Sequence, residues 1–175
     1  MKGIKKIGKK PGLSCLIPVL LLASVLAFPG SADAADADTR MLSIGIGNFY
    51  GYNLNTDDLG TAQELSIGFG LADNLDACFH FITGDGVGGN FPSYNLFSLS
   101  YAVTPRMGMN IYGGSRVSAP IGAATGLGYY FNLFRKDFQD AMTTLLKLRV
   151  EYLISEGIAP EEGLLNIGLQ GKIAF

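Results

Sequence analysis

His80 is the only histidine in this chain of 175 residues, and Asp76 precedes it by four positions. In an extended strand, residues an even number apart share a face, so the two point the same way. If the run carrying His80 folds back on the next through "GDGVGGNFPS", Ser98 falls near it. An aspartate that orients an imidazole, and an imidazole that takes a serine proton, make a nucleophile for acyl transfer. The plainer reading is a histidine hydrogen-bonded inside the fold. The same parity collects nearly every other strand charge: Glu64 and Asp76, then Lys147, Arg149 and Glu151, then Lys172. Three acids meet three bases, and charges held off water must be paired. The expectation is an internal polar network of Glu64, Asp76, His80, Lys147, Arg149, Glu151 and Lys172. A polar conduit for ions or small solutes is the alternative.

Other candidates are weaker. "GDGVGG" (Gly84 to Gly89) lacks the Gly-Lys-Ser/Thr ending and the following helix of a phosphate loop, and reads as a flexible hairpin connection. Cys78 shares the inward parity and reads as a small packing residue. No residue set is assigned to catalysis, a metal or a cofactor.

The elements that must position these residues begin after a leading segment. Lys2, Lys5, Lys6, Lys9 and Lys10 precede the apolar run Cys15 to Phe28, and small residues come next at Ala32 and Ala34. Residues 1–34 are expected to be a cleaved secretory signal. Its removal leaves 8 basic and 14 acidic residues, a net charge of −6, which argues against a nucleic-acid partner. One cysteine then remains, so no internal disulfide is expected. No further apolar run is long enough for a membrane helix.

The rest of the chain alternates with period two, in runs at roughly 41–50, 63–72, 75–83, 94–103, 106–114, 121–133, 142–154 and 164–175. Each is about the ~9–11 residues that a tilted strand needs to cross a bilayer. Long and short gaps alternate, as an up-and-down barrel requires; the sixth, "FRKDFQDA", is longer than that pattern wants. The two faces decide what surrounds the barrel. Leu42, Ile44 and Ile46 stand opposite Ser43, Gly45 and Gly47, and Leu65, Ile67 and Phe69 stand opposite Ser66, Gly68 and Gly70. A wall of small residues fits the inside of a narrow barrel. Large apolar residues then point outward, which makes sense only in lipid. The expected fold is all-β: an eight-stranded antiparallel up-and-down transmembrane β-barrel over residues 41–175, with 35–40 as a short periplasmic lead-in. Tyr50, Tyr52, Tyr94, Tyr112 and Tyr152 are expected as an aromatic girdle at one end, and Tyr101, Phe131, Phe134 and Phe175 at the other.

A final strand ending "KIAF", with Phe175 last, resembles the C-terminal assembly signal of bacterial outer-membrane β-barrel proteins. Strand number and size resemble the small OmpA-, OmpX- and OmpW-type barrels. The resemblance implies residence in the cell outer membrane and contact with its lipid and lipopolysaccharide. It also implies recognition of the last strand, through Phe175, by the barrel-assembly machinery. It leaves any extracellular ligand unnamed. "NTDD" (Asn55 to Asp58) and "PEEG" (Pro160 to Gly163) read as solvated loops, with ion bridges to lipopolysaccharide phosphates as the alternative. The expected role is structural or surface interaction around a side-chain-filled lumen. A narrow porin or hydrophobic-solute channel comes second. A lipid A-modifying barrel enzyme is distant, because the expected His-x-Ser spacing is missing: Phe81 and Ile82 come after His80.

Overall fold

A strand that alternates large apolar with small residues can bury only one face, so its neighbours must curve round that face. In the computed structural model eight such strands close on themselves in sequence order, every pair antiparallel. The structure describes residues 42–86, 92–119, 121–138, 142–156 and 162–175. The expected signal (1–34) and lead-in (35–40) lie outside the described residues, as do Val87 to Gly89 of the glycine-rich stretch and residues 160–161. The strands are β1 (Ser43–Asn53), β2 (Asp58–Ala72), β3 (Leu75–Gly86), β4 (Tyr94–Thr104), β5 (Met107–Arg116), β6 (Gly122–Phe138), β7 (Met142–Ser155) and β8 (Glu162–Ala174).

Pairing of β1 with β8 removes the free edges. Cα partners traced round the sheet run from Ser43 through Gly68, Cys78, Ser98, Tyr112, Gly126, Leu153 and Leu164, returning to β1 at Asn53, ten residues along. That stagger tilts the strands and sets the bore. The barrel has a near end, where β1 begins and β8 finishes, and an opposite far end.

The faces divide as the sequence implies. Ser43, Glu64, Ser66, His80, Ser98, Arg149 and Lys172 point inward and are buried, while Ile44, Ile46, Leu65, Phe81, Ile111 and Leu169 stand exposed on the outside. Ile46 is 68% exposed. An apolar belt running round the whole girth is untenable against water and suits the hydrocarbon of a bilayer. This is a membrane-type barrel.

Three expectations are corrected. The first connection is short, since β1 and β2 extend to Asn53 and Asp58. Asn53 Oδ1 accepts hydrogen bonds from the backbone N–H groups of Asn55 (3.0 Å) and Thr56 (3.3 Å), and Asp57 adopts φ 60°. Asn and Asp tolerate such turns at little cost. The sixth gap shrinks likewise, because β6 runs on to Phe138. A bulge between Asn132 and Phe134 interrupts its register with β7 and turns Phe134 outward. Tyr94, Tyr112 and Tyr152 leave the expected girdle: all three are buried, the first two in the lumen on the parity of Leu96 and Asn110. Tyr50, Tyr101, Phe131, Phe134 and Phe175 are exposed on the outside as aromatics near the two ends.

Candidate functional site

Eight strands leave a bore just wide enough for side chains, so wall glycines decide which large ones fit. Phe49 lies flat against two of them. A Cβ on Gly47 would stand 2.7 Å from its Cε2, and one on Gly168 would stand 2.5 Å from its Cδ1. The guanidinium carbon of Arg149 sits 4.9 Å from the centroid of the Phe49 ring, within cation–π range.

Arg149 is the hub. It is 1% exposed and reaches from β7 across the lumen. Its NH1 donates to Glu64 Oε1 on β2 at 2.6 Å. Its NH2 donates to the Tyr112 hydroxyl on β5 at 2.9 Å and to Glu151 Oε1 on its own strand. Tyr112 in turn donates to Glu151 Oε1 at 2.5 Å and accepts from Asn110 Nδ2 at 2.7 Å. Gln170 on β8 donates to Glu64 Oε1 (2.6 Å) and Ser66 Oγ (2.9 Å). Fully desolvated carboxylates held by charge-assisted bonds of this kind are rigid.

The expected companions of His80 are partly redistributed. Nε2 lies 2.7 Å from Ser98 Oγ, the serine that hairpin pairing of β3 with β4 was expected to bring close. Nδ1 lies 3.1 Å from Glu64 Oε1, off the line of a hydrogen bond, and not beside Asp76. Asp76 sits about 13 Å down the strand from His80, beyond reach of the ring; its carboxylate instead accepts from Lys172 Nζ at 3.0 Å. Glu64 thus takes the place beside the ring that Asp76 was expected to hold, without a hydrogen bond to Nδ1. Ser98 has no accessible surface.

All seven predicted lumen residues point inward, in two groups with Lys147 apart from both. Glu64, His80, Arg149 and Glu151 form one cluster, and Asp76 with Lys172 forms a second nearer the near end. Lys147 belongs to neither; its ammonium stands 4.3 Å from the centre of the Tyr130 ring. A cavity of about 20 Å³ lies among these groups, lined by Lys147, Lys172, Arg149, His80, Gln170, Tyr130, Asn110, Ser100 and Cys78. Sequence reasoning missed Arg116, which is buried on the inward parity and donates to the Ala119 carbonyl at 3.3 Å. It lies two residues past the expected end of its strand. It also missed the neutral partners Tyr112, Gln170, Ser66 and Asn110, although their parity was available.

An eight-stranded antiparallel barrel with an apolar outside and a charged, filled lumen defines a transmembrane β-barrel. No protein-family model matches the chain, and no curated protein does. Among solved structures it is similar to a de novo designed transmembrane β-barrel, with 13% identity over 79% of this chain and 99% of that one, and a TM-score of 0.48. It is also similar to the N-terminal β-barrel domain of Pseudomonas aeruginosa OprF, with 14% identity, coverage of 74% and 96%, and a TM-score of 0.40. A second designed barrel, TMB2.3, gives 14% identity, coverage of 75% and 92%, and a TM-score of 0.37. These likenesses concern the course of the backbone and say nothing of a role.

Proposed function

We propose that this protein is an outer-membrane barrel closed to solutes by its own side chains, with a structural or surface-interaction role. The observation that carries the reading is Arg149. A buried guanidinium bonded at once to β2, β5 and its own strand spans the lumen where a pore would have to pass. Hydrated ions need a continuous polar path with sites weak enough to leave, and an interlocked ion cluster is the opposite. The apolar belt suits the lipid of that membrane, and the basic, then apolar, then small-residue pattern of residues 1–34 suits export to it. In this reading the far end is extracellular, as the near-end connections of an up-and-down barrel are turned to the periplasm. Lipopolysaccharide meets the exposed far-end residues. The barrel-assembly machinery meets the last strand at Phe175, whose ring is exposed and whose N–H donates to the Leu42 carbonyl at 2.8 Å.

Planar-bilayer recording of the refolded full chain tests the closed lumen. Electrical silence of the wild type, with steps appearing once Arg149 is replaced, is the expected result. Steady conductance in the wild type would replace this reading with a narrow channel.

A further inference from the structure

Lumen charges are matched unevenly. Arg149 is engaged by two carboxylates and Lys172 by Asp76. Lys147 is almost wholly buried, at 8% exposure, and has no carboxylate within ion-pair distance among the described residues. Its ammonium rests on the face of Tyr130. A buried ammonium with only a ring beside it is poorly compensated. The cavity at its tip has a matching character. Lys147, Lys172 and Arg149 line it, His80, Gln170 and Asn110 add further donors, and no carboxylate reaches it. Arg149 Nε is also buried with its hydrogen unspent. Size then selects the ligand. About 20 Å³ is room for one compact body somewhat larger than a water, which favours a monatomic anion over phosphate, sulfate or a carboxylate.

We infer that the lumen is a binding site for a single monatomic anion, a halide, held against Lys147 Nζ with Lys172 completing the cationic side. The site supplies a direct counter-charge to Lys147, because the Asp76 carboxylate is already held by Lys172. In ordinary saline that ion is chloride. It is a site for an ion that stays, since the Arg149 cluster occupies the lumen on its other side.

Bromide is the probe. Crystals of the refolded full chain grown in bromide are expected to show an anomalous peak in contact with Lys147 Nζ. In detergent at fixed ionic strength, with gluconate as the balancing anion, bromide should stabilise the fold. Above saturation the unfolding constant should fall tenfold for each tenfold rise in bromide, the slope of one site. Lys147→Met should abolish both the peak and the slope, and Lys172→Met should weaken the slope. A cavity without an anomalous peak would overturn the site, whether or not the variants fold. So would a bromide slope that persists in Lys147→Met, or equal stabilisation by gluconate, which is too large to enter. The test is separate from that of the closed lumen: a conducting wild type with bromide at Lys147 would refute closure and keep the anion site.

Discussion

Replacing Arg149 by methionine keeps most of the side-chain volume and removes the one charge that joins β2, β5 and β7. Its two partners, Glu64 and Glu151, have fully buried side chains. Removing one partner of a buried pair costs about 3–5 kcal/mol, because the other charge is left uncompensated in a poor dielectric. Here two carboxylates lose their cation, but they share one guanidinium and Glu64 keeps its bond from Gln170 with His80 beside it, so the losses do not add. The expected destabilisation is therefore at the upper end of that range, about 4–5 kcal/mol. That is roughly a thousandfold or more in the unfolding constant. Lys172→Met is the contrasting change. Its partner Asp76 keeps 34% of its side-chain surface, so solvent screens the loss, and about 1 kcal/mol or less is expected. The triple variant Arg149→Met with Glu64→Gln and Glu151→Gln should recover most of the single variant's loss, since neutral isosteres remove the stranded charges. Denaturant unfolding in detergent micelles, monitored by the loss of β-sheet circular dichroism, measures all three. An Arg149→Met barrel within about 1 kcal/mol of wild type, or a triple variant worse than the single, would refute the hub.

Leu148 neighbours Arg149 but faces lipid, paired between Phe131 and Leu169; Leu148→Arg should cost about 2–4 kcal/mol in bilayer unfolding assays, and a cost below about 0.5 kcal/mol would place the belt wrongly. Gly168→Ala drives a methyl into Phe49 and the Asn48 carbonyl, for about 1–3 kcal/mol of overpacking; pairing it with Phe49→Leu should restore part of that loss in the same titration. Phe175→Ala should lower the amount of folded barrel recovered from outer membranes while leaving refolding in detergent nearly unchanged, because the ring is exposed and its backbone bond to Leu42 survives. Equal membrane levels would sink its role as an assembly signal.

The faces were legible in the sequence because side-chain direction in a strand is local. Ser43, Gly45 and Gly47 must oppose Leu42, Ile44 and Ile46 whatever the rest of the chain does. Large apolar residues on one face and small ones on the other then fix lipid outside and a narrow bore within. Strand ends were less legible. Residues 58–62 and 134–138 are polar enough to read as loops, yet they carry on as strand, where the partner strand rather than hydropathy holds them. The meetings inside the lumen were not legible at all. Parity named Glu64, Asp76, His80, Lys147, Arg149, Glu151 and Lys172 as inward, but not their heights. Height depends on the register of every pair and on the ten-residue stagger accumulated round the barrel. That closure gave His80 to Glu64 instead of Asp76, gave Asp76 to Lys172, and left Lys147 at a cavity without a carboxylate. A two-residue slip in one pair would preserve every face and change the partners across it, so the chain's local pattern determined the barrel and only its closed register decided the chemistry inside.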